Sequence, residues 1–278
     1  MEKPQLRIAL CLTGLIGGLR GRNGVGKAID PINGHHWYNK NLLQKNNVDI
    51  FFHTWSNSKN DLVSIYKPKK YLIERQDNFS EINSQFYGFD SYESFYKKEN
   101  KLNESYVCFD KEITDFKNLI FRSHSKWTST YKAIKLKIEY EQENDFKYDF
   151  VIISRFDIAL KKRINFSNLE KQILYLSERN ENQKGRDRAF NDLIFMGGSS
   201  VVELFSELIK NIQNYSVDPI YACYDHIKSK EIKWASYFRY GKDTFILRWN
   251  QHLMTKSPEI YYYIKHNLRE IKRKVFNV

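Results

Sequence analysis

The sequence predicts an α/β fold with a mainly parallel sheet flanked by helices and a helical C-terminal part. Three observations carry this prediction. Short, almost continuous apolar runs recur at residues 6–13, 48–52 and 150–153, as strands buried on both faces do. Each run stops abruptly at a polar or glycine junction: Thr13-Gly14, His53-Thr54 and Ser154-Arg155. Between the runs lie stretches whose apolar residues repeat every three to four positions, the spacing of one helix face.

Taken in order, residues 6–13 read as the first strand, and a glycine-rich loop over 14–26 follows it. Residues 37–45 read as a short helix, and 48–52 as a second strand that delivers His53, Thr54, Trp55 and Ser56. A helix over 62–66, a turn at Pro68 and a strand over 71–73 come next. Residues 76–112 are polar, aromatic and poorly periodic, which suggests a long excursion or lid with some helix. A long helix is expected over 118–144, where Trp127, Tyr131, Ile134, Ile138 and Glu141 share helical spacing. Strands are expected at 150–153, 173–176 and 193–196. Ser199 or Ser200 then caps a helix to about Asn211. Over 260–275, Ile260, Ile264, Leu268, Ile271 and Val275 fall on one face of a basic helix.

Hydrophobic residues make up 41% of the 278-residue chain and aromatics 15%, enough for a substantial core. Lys plus Arg number 45 against 33 Asp plus Glu, a formal charge of +12 that favours anionic partners or simply solubility. Cys11, Cys108 and Cys223 form no C-x-x-C pair, which excludes a zinc ribbon and suits a reducing compartment. The apolar part of the N-terminus is too short to span a membrane and no small-residue cleavage site follows it. The expectation is a cytoplasmic protein without a transmembrane helix. No helix-turn-helix, zinc or RNA-recognition signature appears, so nucleic acid is not an expected partner.

The chemistry concentrates at Ser154-Arg155-Phe156-Asp157, where a buried strand hands over to charge. Arg155 offers a fork of donors for phosphate, and Asp157 a hard oxygen ligand for a divalent cation. Asp192, beside the apolar run 193–196, is a second carboxylate suited to a general base, an acceptor contact or a turn cap. Arg122-Ser123-His124-Ser125-Lys126-Trp127 reads as a helix start. Its free N–H groups would favour phosphate or an acceptor, or it is an ordinary capped helix. His53 and Trp55 would line a base or sugar pocket, or pack. Gly21 to Lys27 matches G-x-x-x-x-G-K, but Ala28 stands where a P-loop needs a hydroxyl. Pro31 and Gly34 also fall where such a loop needs an uninterrupted helix. The loop otherwise supplies Arg20, Arg22 or Lys27 to an anion, or is simply surface.

The order of these motifs, over roughly residues 6–210, resembles bacterial GT-A-type glycosyltransferases of capsule, lipooligosaccharide and O-antigen assembly. The resemblance implies a GT-A-like (Rossmann-like) sheet, a nucleotide-sugar donor and a glycan or lipid-linked glycan acceptor. It implies that Thr13, Gly14, Arg20, His53, Arg122, Ser154 and Arg155 border the nucleotide. On the acceptor side it points to His124, Lys126, Trp127 and Asn191, with Asp192 as base or acceptor contact. In that family a D-x-D triplet holds a divalent metal, manganese or magnesium. Here the triplet is Arg155-Phe156-Asp157, with arginine replacing the first carboxylate. Either Asp157 alone anchors the metal or Arg155 takes over part of its charge role.

A single domain over 1–278 is expected, with a nucleotide-binding half over about 1–160, an acceptor half over 161–259 and the basic helix over 260–278. That helix would give peripheral contact with the inner face of the cytoplasmic membrane, or pack on the domain. Two further readings stay open: a P-loop-like phosphoryl or sulfuryl transferase, and a non-catalytic basic module for anionic glycan or membrane.

Overall fold

A computed structural model of the chain describes residues 5–16, 29–56, 59–90, 113–178 and 190–249. Its centre is a seven-stranded sheet: β1 (Arg7–Gly14), β2 (Asn47–Thr54), β3 (Lys70–Ile73), β4 (Phe150–Arg155), β6 (Leu174–Glu178), β7 (Phe190–Gly197) and β8 (Trp234–Arg239). The order across the sheet is β3-β2-β1-β4-β7-β6-β8. All neighbours run parallel except at β7, which is antiparallel to both β4 and β6. The α/β, mainly parallel class expected from the sequence is therefore the observed one. A separate two-stranded ribbon pairs β5 (Ile158–Leu160) with β9 (Thr244–Ile246).

Helices on both faces account for the continuous apolar runs. Along β1, Ile8, Leu10 and Leu12 point to one core layer. There they meet Tyr38 of helix α1 (Pro31–Asn41), Leu42 just beyond it, and Leu62 and Tyr66 of α2 (Lys59–Tyr66). Ala9 and Cys11 point to the other layer, with Trp127 and Ile134 of α3 (Ile113–Glu143) and Val202 and Phe205 of α4 (Ser199–Ser206). Helix α5 (Pro219–Ser229) closes that layer through Ala222 and Cys223.

Helix α1 starts at Pro31, earlier than its apolar pattern suggests. Asp30 caps it by accepting the Ile32 N–H at 2.9 Å, and Pro31 fits the first turn, where no N–H is needed. Gly34 lies inside the helix rather than breaking it. A Cβ there would stand 1.9 Å from the Phe156 carbonyl oxygen, so the glycine lets α1 lie directly on the turn after β4. Tyr38 and Asn41 grip the same segment, donating to Arg155 O and Leu160 O, each at 2.7 Å.

Three other expectations are corrected. Helix α3 begins at Ile113, so residues 122–127 sit in its body, with their N–H groups in helical positions rather than free at a terminus. Gly198, not a serine, is the N-cap of α4; Ser199 instead joins a buried ion cluster. The strand β8 and the β5–β9 ribbon were not expected. Of the expected excursion over 76–112, residues 76–90 are described and carry one short 3-10 helix, Ser84–Tyr87; residues 91–112 and the basic segment 260–278 lie outside the described residues.

That ion cluster locks α3 to α4. Lys137, fully buried, reaches Glu141 at 2.9 Å, Ser199 at 2.6 Å and Glu203 at 2.6 Å. Glu141 also accepts the Tyr148 N–H just before β4. Two stability outcomes follow from these contacts. Gly34→Ala gains about 1 kcal/mol of helix propensity but forces Cβ into a backbone oxygen. We expect a net loss of about 3 kcal/mol or more in urea unfolding. Lys137→Met removes the buried partner of Glu141 and a partner of the part-buried Glu203 and should cost about 3 kcal/mol; Lys147, which also reaches both carboxylates, moderates the loss.

Candidate active site

In an open α/β sheet, ligands enter where the strand order reverses, outside the C-terminal ends of the strands. Here the reversal lies between β1 and β4. The two strands end together, with Thr13 paired in register to Arg155. Because β7 runs antiparallel, its beginning reaches the same edge. Its pairing of Ile153 with Phe195, continued one step further than Ser154, sets Asp192 just past Arg155.

Ser154, at the end of β4, is a structural anchor. It is buried, lies 2.7 Å from the Tyr38 hydroxyl, and its own hydroxyl donates to Leu193 O at 3.3 Å. Thr13, also buried, donates to Ser154 O. The next residue turns outward. Arg155 forks onto Asp157, Nε to Oδ1 at 2.9 Å and Nη2 to Oδ2 at 2.7 Å. From the other side Arg248, just beyond β9, brings its Nε within 3.5 Å of Asp157 Oδ2. The Leu247 N–H donates to Asp157 O and fixes that approach. The Asp157 side chain is 1% exposed, while Arg155 is 19% and Arg248 17% exposed. The carboxylate is thus shut behind two arginine side chains that are themselves only partly exposed. Burial pushes the Asp157 carboxyl upward, but Arg155 and Arg248 outweigh it and hold it below the usual range. Burial and the nearby Arg155 both depress Arg248.

On the β7 side, Lys126 of α3 reaches Asp192, its Nζ 3.1 Å from Oδ2 and 2.5 Å from the backbone oxygen. Both side chains are accessible, at 15% and 19%. Burial acts upward on Asp192, yet Lys126, Arg155 and Arg122 keep it below its ordinary value and hence ionised at neutral pH. Arg122, half-buried, also acts on Asp218 and Arg248. Arg155 therefore lies close enough to both Asp157 and Asp192 to act on each, and the two carboxylates fall on either side of it at the strand-order reversal.

The other expected ligand residues are placed differently. His53 is fully buried, and both ring nitrogens are used: Nδ1 on Ser129 Oγ and Nε2 on Glu74, each at 2.8 Å. Ser129 Oγ accepts the Gly14 N–H at 2.8 Å, and Gly14 has φ of +85°, a conformation that favours glycine. His53 thus positions the end of β1 instead of touching a ligand. Trp127 is a core residue, its Nε1 donating to Pro219 O at 3.2 Å, and His124 is buried against Tyr87. Asn191 donates to Glu178 O, tying β7 to β6. Arg20 lies outside the described residues. Arg248, Tyr38 and Glu74 were missed. For Arg248 a signal existed: the run Thr244-Phe245-Ile246-Leu247 ends in arginine just as β4 does.

The donor set does not fit a metal ligand at Asp157. Both of its oxygens face arginine nitrogens, and a divalent cation would have to displace or repel them. Among the described residues no group of three or more His, Cys, Asp or Glu side chains is arranged to hold a metal. An open groove of about 790 Å³ lies at the opposite end of the sheet, lined by Leu6, Phe150, Arg163 and Phe166 among others. It is remote from the strand C-termini and the converging charges.

No protein-family model matches the chain, and no curated protein matches it. Among solved structures, a "putative nucleotide-diphospho-sugar transferase" from Desulfovibrio desulfuricans G20 is similar at 9% identity and a TM-score of 0.36. The match covers 84% of this chain and 80% of that one. A likeness of that size assigns neither activity nor residues.

The buried histidines make the protein acid-sensitive. Burial lowers His53 and His124 to about 4 each; for His53, Lys132 adds to this, while Glu74 opposes it. Between about pH 6.5 and 4 the unfolded chain binds protons at both sites and the folded one does not. Stability therefore rises with pH in that window and is lost as pH falls through it, by roughly 3 kcal/mol per histidine. Urea unfolding at pH 7, 5.5 and 4.5 should show this slope, and His124→Gln should flatten it by one histidine's share.

Proposed function

We propose that the chain is a glycosyltransferase that moves a sugar from a nucleoside-diphosphate donor to a glycan acceptor. The observation that carries this reading is the convergence of Arg122, Lys126, Arg155 and Arg248 with Asp192 at the strand-order reversal. Breaking the bond between the anomeric carbon and the donor phosphate leaves negative charge on the departing diphosphate. Fixed cations aimed at that charge lower the barrier without reorganising, each worth roughly 3 kcal/mol. Asp192 sits on the acceptor side of Arg155. Ionised and ion-paired, it accepts a hydrogen bond from the attacking hydroxyl and orients it. In an inverting reaction it would also take the proton, as a base weakened by Lys126.

The acceptor class follows the sequence resemblance: a surface-polysaccharide or lipooligosaccharide chain, built at the inner face of the cytoplasmic membrane, with the basic segment 260–278 as a peripheral contact. No helix among the described residues is long and apolar enough to cross a membrane. The P-loop alternative is disfavoured by the start of α1. The helix begins four residues after Lys27, and the Asp30 carboxylate already caps its N-terminus, where a phosphate would sit.

Calorimetric titration of UDP, GDP, CDP and CMP identifies the donor class. One nucleotide should bind at micromolar affinity and weaken at least tenfold in Arg155→Ala, while Lys27→Ala keeps near-normal binding. Binding of none of the four counts against the reading, and loss of binding in Lys27→Ala alone favours a phosphate cradle at residues 21–27.

A further inference from the structure

The family resembled here places a carboxylate pair and a metal beneath the donor diphosphate. This chain places one carboxylate between two arginines. From that geometry, and resting on the transferase reading above, we infer that Arg155 and Arg248 form a metal-free clamp for the diphosphate, with Asp157 as their buried counter-ion.

Three features support the clamp. First, the Asp157 carboxylate is closed to the crevice, 1% exposed, so it can neutralise and orient but cannot meet a ligand. Second, Arg155 spends only its Nε and Nη2 edge on Asp157. A guanidinium carries five donors, so the edge bearing Nη1 keeps its own donors for a phosphate oxygen. Third, Arg248 is set by covalent and hydrogen-bonded constraints rather than by chance. The ribbon pairing of Ile158 with Ile246 and the bond from Leu247 N–H to Asp157 O fix the backbone one residue before it.

The electrostatics agree. Two like-charged groups are crowded against one carboxylate, with Lys126 and Arg122 nearby, and burial with Arg155 already disfavours the charge on Arg248. An incoming diphosphate relieves that repulsion, whereas an incoming divalent cation adds to it. The clamp thus does the work of a metal at this position: it supplies concentrated positive charge where the leaving group develops its own, held in place before the donor arrives.

The test uses inorganic pyrophosphate as the probe and manganese alone as its counterpart. Calorimetry on the full chain in EDTA should show pyrophosphate binding. It should weaken at least tenfold in Arg248→Ala, weaken less in Arg248→Lys, and remain unchanged in Lys210→Ala, an exposed lysine on the outer surface. Circular dichroism of Arg248→Ala should match wild type and its thermal unfolding should stay cooperative at a lowered midpoint, because Arg155 still pairs with Asp157; titration well below that midpoint separates loss of the site from loss of the fold. Manganese alone should give no stoichiometric binding heat. Absence of pyrophosphate binding in EDTA overturns the clamp, as does equal binding in Arg248→Ala. Stoichiometric manganese binding that disappears in Asp157→Asn also overturns it. Failure here is distinct from failure of the transferase reading. Nucleotide binding that requires manganese removes the clamp and keeps the donor site. Pyrophosphate binding with no nucleotide binding keeps the clamp and removes the donor.

Discussion

Everything at the crevice depends on one buried carboxylate. Removing a charged Asp157 from water is costly unless its partners are close and well aligned. The fold meets that condition by bringing two arginines from distant parts of the chain to the same side chain. Arg155 comes from the sheet and Arg248 from the ribbon. Without Asp157 the two cations would repel, and the ribbon would lose its electrostatic tie to the end of β4. The backbone is fitted to the same purpose. Helix α1 lies close enough to the Phe156 carbonyl that position 34 must be glycine, and Tyr38 and Asn41 hold the carbonyls on either side. A short stretch from 154 to 160 is thus held by α1 and by the β9 ribbon, so its charged groups are preorganised.

The sheet was legible in the sequence because its central strands are buried on both faces. An unbroken apolar run of strand length, as at β1, β2 and β4, is what a strand covered by helices on both sides requires. Asp157 and Asp192 were singled out from the same runs, since both residues sit where an apolar strand gives way to charge. What stayed hidden has physical causes. Strand β8 lies at the sheet edge, and its alternating Trp234-Ala235-Ser236-Tyr237-Phe238-Arg239 buries mainly Phe238, so its signal is weak. The ribbon strands are three residues each, too short for any periodicity. The helix start at residue 113 was missed because polar residues precede the first strong apolar period. That error converted a helix body at 122–127 into a supposed phosphate cradle. Burial was the other blind spot: His53 and Trp127 are the residue types that line pockets, but their partners show them to be spacers and core.

A division of labour follows between charged residues that are partly exposed and residues that hold them in place. Arg155, Arg248, Lys126, Asp192 and half-buried Arg122 present charge to the crevice. Behind them stand neutral or self-satisfied groups: the Tyr38–Ser154 pair, and the Glu74–His53–Ser129 chain that ends on the Gly14 N–H. The second chain resembles a nucleophilic triad in composition, yet Ser129 is fully buried in the middle of α3 and its oxygen is occupied by a backbone donor. Its role is to fix the left-handed end of β1 at Gly14. Constellations are recognised by access as well as by geometry.

The reversed strand β7 gives the last step. In a wholly parallel sheet the start of this strand would lie at the far end, and Asp192 would face away from Arg155. Antiparallel insertion between β4 and β6 turns it round, so a carboxylate from the second half of the chain meets an arginine from the first. Lys126 then spans from α3 to Asp192, and the crevice acquires a cationic floor on the β4 side and a paired carboxylate on the β7 side. This polarity gives the two sides different chemistry. The β4 side carries the arginine-paired Asp157, and the β7 side the lysine-paired Asp192. A single change of strand direction thereby brings two ion-paired carboxylates from different halves of the chain to within one arginine of each other.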